Sequence, residues 1–282
     1  MYLSTLSFFL LHLIIAPLNI KGVNLDNVPF EKNYAPLWGK ENIRILDQSQ
    51  EVQITLNQNS GSGFQSLRKF GSGWFKLRTK LPQKDSSAVI STFYLKADAG
   101  DEIDFEFLGG NNKERPHILH TNIFTNGKGG REQRIRLWFD PAADFHNYTL
   151  LWNEKQLVFF VDDTPIRVFK NTTNKGGMYP TQAMKIIASI WNDTWASNGV
   201  PVNWNDAPFE AHYRGFGIDA CQAQGTNTQE CRSPKYWWNG EKFWGLNPRK
   251  IQAYKNIRSK YLIYDYCAKQ PQIPECQNLP IY

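Results

Sequence analysis

From about residue 40 to about residue 190 the chain repeats one pattern: a short run of alternating or near-continuous apolar residues, then a cluster of turn formers. A period of two puts one face of an extended segment on a core and the other towards water, so each run predicts a β-strand. Glu51-Val-Gln-Ile-Thr-Leu alternates, and so does Trp74-Phe-Lys-Leu-Arg-Thr-Lys-Leu, which follows a Gly-Ser-Gly sequence read as a turn. Val89-Ile-Ser-Thr-Phe-Tyr-Leu, Arg134-Ile-Arg-Leu-Trp-Phe, Tyr148-Thr-Leu-Leu-Trp, Leu157-Val-Phe-Phe-Val and Met184-Lys-Ile-Ile-Ala-Ser-Ile-Trp continue the series. Many short strands with little helical periodicity predict an all-β fold, a concanavalin-like jelly-roll β-sandwich.

The two ends depart from that pattern. Residues 6–15 are almost wholly apolar and run towards small residues around Gly22 and Val23, which predicts a signal peptide over residues 1–22. The run is too short for a membrane span, and no other segment could form one. From residue 215 onwards all four cysteines appear, together with Tyr236-Trp-Trp and a helical stretch near 248–261. We therefore expect a sandwich domain over 23–214 and, over 215–282, an extension packed on it. Cys221, Cys231, Cys267 and Cys276 allow three pairings. Pairing neighbours would close two short loops in a region with little core of its own. A four-thiolate zinc site is disfavoured, because close C-x2-C pairs are absent.

Composition adds two constraints. Aromatic residues make up 14% of the 282 residues, and a flat ring stacks on the apolar face of a sugar while its polar edge reaches hydroxyls. The net charge of +6 is spread out, and with an export leader and no nucleic-acid motif, nucleic acid is excluded as a partner. Asn147-Tyr-Thr, Asn171-Thr-Thr and Asn192-Asp-Thr are sequons. Asn147 is discounted because it falls in a strand that reads as buried, leaving Asn171 and Asn192. Gly61-Ser-Gly and Gly71-Ser-Gly precede no helical pattern, so they read as hairpin turns and not as phosphate cradles. His117 and His120 are three apart in an extended segment, hence on opposite faces, so no metal or cofactor is expected. Trp237, Trp238 and Trp244 read as packing around the disulfides.

The most informative segment is Asp101-Glu-Ile-Asp-Phe-Glu-Phe-Leu. Its strict alternation puts Glu102, Asp104 and Glu106 on one face and Ile103, Phe105 and Phe107 on the other. Like charges stacked on a strand face repel, so such a row points to a metal or to acid/base chemistry. In a strand, Cα atoms four residues apart are about 13 Å apart. Two glutamates leaning together bring their carboxyls to roughly 5–6 Å, the separation of a retaining glycosidase. Asp104, shorter and between them, is placed to hydrogen-bond one of them. Crowding keeps one of the three protonated at mild pH, supplying a general acid.

The segment, with the Gly that follows it, resembles the active-site strand of plant xyloglucan endotransglucosylase/hydrolases, in glycoside hydrolase family 16. The resemblance extends in order through Gly61-Ser-Gly-Phe-Gln-Ser, Phe70-Gly-Ser-Gly-Trp-Phe, Gly129-Gly-Arg-Glu-Gln-Arg, Leu137-Trp-Phe-Asp-Pro, Val161-Asp-Asp-Thr-Pro-Ile-Arg-Val-Phe-Lys-Asn and Ala188-Ser-Ile-Trp-Asn. In the tail it includes Tyr236-Trp-Trp-Asn and Arg258-Ser-Lys-Tyr-Leu-Ile-Tyr-Asp-Tyr-Cys. It implies Glu102 as nucleophile, Asp104 as its helper and Glu106 as general acid/base. It also implies Asn122 and Arg134 as sugar contacts, Trp191 and Trp195 as a stacking platform on the acceptor side, and the cysteine pairs 221/231 and 267/276 as disulfides. His120, expected to line the cleft, stands where the family has Gln. Gly100 replaces a His before the acidic run, the loop before that run looks shorter, and the sequon after it is missing. These changes bear on donor specificity, pH optimum and glycosylation.

What the resemblance implies is a monomeric enzyme of the cell wall that cuts a β-1,4-glucan backbone and hands the glycosyl group to another chain. Hydrolysis is the alternative outcome, as is another β-glucan partner. A non-catalytic polysaccharide lectin is the rival class; intact Glu102 and Glu106 speak against it, since a binder needs no acid pair.

Overall fold

The computed structural model describes residues 25–111 and 115–278; the expected leader at 1–22 lies outside them. Two antiparallel sheets face each other. The first runs, in spatial order, β1 (Tyr34–Trp38), β4 (Ser62–Ser66), β13 (Lys185–Asn192), β6 (Val89–Lys96), β7 (Glu102–Leu108), β8 (Ile118–Phe124), β9 (Gln133–Arg136) and β16 (Leu262–Asp265). The second runs β12 (Thr164–Lys170), β11 (Gln156–Val161), β10 (His146–Trp152), β5 (Phe70–Lys80), β14 (Phe209–Arg214), β3 (Glu51–Leu56) and β2 (Ile43–Leu46), with β15 (Asp219–Gln222) also paired to β5. This is the predicted jelly-roll β-sandwich.

The strands form where the alternation lies. On β7, Ile103, Phe105 and Phe107 are each about 1% exposed and point between the sheets. The Phe105 ring stacks on Phe93 of β6 (centroids 5.7 Å) and meets Phe159 of the opposite sheet edge-on at 5.0 Å, while Phe107 meets Tyr148 at 4.5 Å. These aromatic contacts hold the acid-bearing strand against the second sheet. Arg167 of β12 crosses the same core. Its buried guanidinium donates to the Thr121 carbonyl (2.9 Å), the Thr121 hydroxyl (2.8 Å) and the Arg131 carbonyl (2.6 Å), fastening β8 from behind. Asp162 and Asp163 both take positive φ (45° and 64°) at the hairpin between β11 and β12, the conformation of a tight two-residue turn.

Two readings are corrected. Gly71-Ser-Gly73 lies inside β5, and Gly61-Ser-Gly63 runs into β4, so neither is a hairpin turn. Their glycines permit close approach: a Cβ on Gly73 would sit 2.4 Å from Ala220 Cβ, and one on Gly61 would sit 2.0 Å from the Ile190 carbonyl oxygen. Asn147 is only half-buried, because it sits on the outer face of β10 near the strand's start.

The extension is woven into both layers: β15 adds to the second sheet and β16 extends the first beyond β9. The helix Pro248–Lys260 packs on β12. Trp238 is buried and its indole N–H donates to the Ser72 hydroxyl at 2.9 Å, whereas Trp237 and Trp244 remain half-exposed. The bonded pairs are Cys221–Cys231 and Cys267–Cys276. Arg131 pairs with buried Glu275 at 2.6 Å, tying the second loop to the sandwich. Closing the ten-residue Cys221–Cys231 separation restricts the unfolded chain by about 3 kcal/mol. The double variant Cys221→Ser/Cys231→Ser should lose about that much stability in urea unfolding.

Candidate active site

The acidic strand is pinned at its start. The buried Asp101 carboxylate accepts from the backbone N–H groups of Asn126 (2.8 Å), Thr181 (2.7 Å) and Gln182 (3.0 Å). Before it the chain turns tightly: Ala97 N–H donates to the Asp101 carbonyl at 2.8 Å, and Gly100 has φ +98°. A Cβ on Gly100 would sit 2.6 Å from the Gly127 nitrogen, so this turn has no room for any side chain.

From there the register of the first sheet assembles the site in rows across the strands. One row is Ser189, Thr92, Glu106, His120 and Arg134, from β13 to β9. The next contains Tyr94, Asp104 and Asn122, and a third contains Lys185, Lys96, Glu102 and Phe124. All three carboxyls open into one cleft of about 730 Å³, also lined by Trp191, Trp195, Glu132 and Tyr264. Every residue expected in the site is therefore brought together: Glu102, Asp104, Glu106, His120, Asn122, Arg134, Trp191 and Trp195.

The three acids sit in unequal surroundings. Asp104 is 4% exposed, and burial, then the charges of Glu102 and Glu106, push its carboxyl well above the usual range; it also shares a hydrogen bond with Glu102. Asp104 thus keeps its proton and offers it to Glu102. On its other side Glu102 meets Lys96, whose Nζ lies 2.7 Å from Glu102 Oε2. Burial raises Glu106 to about 7, with Glu102 and Glu132 adding to the rise and Arg134 opposing it. His120 Nδ1 lies 3.7 Å from Glu106 Oε2, beyond hydrogen-bond range. Burial, then Arg134 and Arg167, lower His120 to about 3, so the contact is between a neutral imidazole and the carboxyl and is not an ion pair. Neither nitrogen of this buried ring has a hydrogen-bond partner among the described residues. A buried polar group left open towards a cleft is suited to a ligand hydroxyl.

The remaining groups shape the walls. The Asn122 carbonyl oxygen accepts from the Ile123 and Arg131 backbones (2.9 and 3.1 Å), so its amide NH2 is what it has left for a sugar. Arg134 lies over the Tyr264 ring at 5.8 Å. Trp195 is 37% exposed and meets the His120 ring edge-on at 5.5 Å. Asp193 accepts from the Trp195 N–H and holds the turn that carries it. Of the sequons, Asn192 is exposed, while the half-buried Asn171 donates its amide to the Glu154 carbonyl. His117 lies outside the cleft, buried beside Ser86, and no cluster of metal-ligating side chains occurs among the described residues. Sequence reasoning missed Thr92, Tyr94 and Lys96, although their alternation next to the acidic strand was a usable signal. Tyr264 arrives from the extension through the β9–β16 pairing, which no local pattern announces.

A β-sandwich with a row of carboxyls in an open, aromatic-walled cleft defines a polysaccharide-cleaving or polysaccharide-transferring enzyme. The sequence pattern of "Glycosyl hydrolases family 16" matches residues 30–206, and that of "Xyloglucan endo-transglycosylase (XET) C-terminus" matches residues 232–276. The chain is 45% identical over 263 residues to xyloglucan endotransglucosylase/hydrolase protein 2 of Arabidopsis thaliana, covering 91% of this chain and 90% of the relative. It is 45% identical over 261 residues to xyloglucan endotransglucosylase/hydrolase protein A of Phaseolus angularis, covering 89% of each. Its fold is similar to that of a Bacillus licheniformis β-glucanase, with TM-score 0.57 and 22% identity over 71% of this chain and 97% of that one. The chain belongs to glycosyl hydrolase family 16, in its xyloglucan endotransglucosylase/hydrolase branch. No helix among the described residues is long and apolar enough to cross a membrane.

The raised carboxyl of Glu106 gives a signed prediction. The folded state holds its proton up to about 7, whereas an ordinary glutamate releases it near 4.5, so its contribution to stability is full at low pH and is lost as pH rises through 7. Glu106→Gln should flatten the fall in melting temperature over that interval. Arg134→Gln removes a cation that favours ionised Glu106, so the carboxyl titration, followed by 13C NMR, should move above 7.

Proposed function

We propose that this enzyme cleaves the β-1,4-glucan backbone of xyloglucan with retention and transfers the glycosyl group to another xyloglucan chain. The observation that carries the reading is the division of labour among three carboxyls in one cleft. Glu102, beside Lys96 and a protonated Asp104, is the nucleophile. Glu106, protonated up to about 7, is the general acid.

In the first step a Glu102 oxygen attacks the anomeric carbon. The bond to the leaving oxygen breaks, and that oxygen takes the Glu106 proton, leaving a glycosyl-enzyme and a freed chain end. In the second step the Glu106 carboxylate removes the proton of an incoming hydroxyl, whose oxygen bonds to the anomeric carbon and releases Glu102. Water gives hydrolysis and a sugar 4-OH gives transfer. Water is far more concentrated, so transfer requires that acceptor subsites hold a sugar in position. Trp191 and Trp195 supply the stacking faces, and His120, Asn122 and Arg134 supply polar contacts. Relatives named for xyloglucan endotransglucosylase/hydrolase activity support this choice of substrate. Hydrolysis, or transfer on another β-glucan, is the second reading, favoured by the tight turn at Gly100 and by His120.

The proposal includes export to the cell wall as a monomer, after removal of a leader over 1–22, with a catalytic unit over 23–214 and an extension over 215–282. The test is incubation with xyloglucan and a labelled oligosaccharide acceptor. Label should enter long polymer; new reducing ends without incorporation would assign a hydrolase, and binding alone a lectin. Glu102→Ala should lower turnover by at least about 10^3-fold with an unchanged melting temperature, a loss of the size seen when a covalent nucleophile is removed. Retained turnover would overturn the assignment.

A further inference from the structure

Trp38 is one of the few large apolar residues that the fold leaves exposed, at 39%, and the site described above does not use it. It ends β1, at the edge of the first sheet, opposite Gly63 of β4. Gly63 pairs with Ser189, Ser189 with Thr92, and Thr92 with Glu106. Trp38 therefore lies in the same cross-strand row as the general acid, four strands away, roughly 19 Å at the usual strand spacing.

Its ring also lies on the same face. A Cβ built on Gly63 would meet Trp38 Nε1 at 2.8 Å and Ser189 Cβ at 3.1 Å, and the Ser189 side chain lines the cleft. A Cβ on Gly61 would meet the far edge of the indole at 3.0 Å. Two glycines thus leave a shelf across which the indole lies flat on the sheet. Leaving a tryptophan in water forgoes the burial that stabilises most aromatic residues, and a supported, exposed ring is the surface on which a sugar stacks. Of the site's other aromatic rings, Trp191 stands on β13 between Trp38 and the carboxyls, while Trp195 and Tyr264 stand beside His120 and Arg134 on the opposite flank.

We propose that Trp38 is a remote stacking subsite for the glucan chain, beyond Trp191 of β13, engaged only by chains long enough to cross β6, β13 and β4. This rests on the reading of the cleft as a glucan site and adds a length dependence to it. A long chain gains ring contact and exclusion of water, whereas a short one ends before the ring.

The experiment compares wild type, Trp38→Ala and Trp38→Phe, after matching melting temperatures. Binding of cellobiose through cellohexaose is measured by calorimetry, and transfer kinetics are measured with xyloglucan polymer. Trp38→Ala should bind cellohexaose about tenfold more weakly and cellobiose as wild type does. It should raise KM for xyloglucan polymer several-fold with kcat unchanged, and Trp38→Phe should recover most of the affinity. Equal weakening at every length, or no weakening of cellohexaose, overturns the subsite. If wild type itself neither binds nor turns over any of these glucans, the reading of the cleft fails instead, and that result is distinguishable from the first two.

Discussion

Three carboxyl groups at alternate positions of one strand repel one another, and the architecture around β7 exists to make that arrangement stable. Full ionisation of all three in a partly dry cleft is disfavoured by mutual repulsion and by desolvation. The solution is a split. Asp104, nearly sealed, keeps its proton and turns a repulsion into a hydrogen bond with Glu102. Glu106, less sealed, is poised near neutrality, and Lys96 offsets the charge of Glu102. Different burial of chemically similar groups thus produces different proton affinities, the general device by which a site can run acid and base chemistry at one pH.

That split requires a stiff support. On the core side, Phe105 and Phe107 bind β7 to the second sheet through Phe159 and Tyr148. On the neighbouring strand, Arg167 reaches through the core to hold the Thr121 backbone between His120 and Asn122. Ahead of the strand, Asp101 gathers three backbone donors and Gly100 permits a turn with no side chain. The extension takes part in the same support, since β16 prolongs the sheet and brings Tyr264 under Arg134.

The cleft also has a polarity. One flank carries Trp195, His120, Arg134 and Tyr264, and the other runs over Thr92 and Ser189 towards Trp38. A polymer lying across the strands would meet aromatic surface at both ends and acid chemistry between. The neutral, unpartnered imidazole of His120 stands beside Glu106 on the cleft wall, its Nδ1 3.7 Å from the carboxyl.

By itself the sequence determined the features whose signal is local. Strict alternation on β7 sorts its residues into an acidic and an apolar face wherever the strand packs, because the side-chain period of a strand is two. The same periodicity announced the all-β class, and proline with helical patterning marked the helix at 248–260. Register, by contrast, is a tertiary quantity. Thr92, Lys96 and His120 face the carboxyls only because β6 and β8 pair with β7 in one alignment, and a slip of one residue would turn each to the core. The glycines at 61 and 73 carry the flexibility of turns, yet they serve close backbone approach, which shows only once Ile190 and Ala220 lie against them. Nor does any local pattern bring Tyr264 to the cleft or set Trp38 in the row of Glu106, since long-range strand pairing places β1 and β16 at the two edges of one sheet.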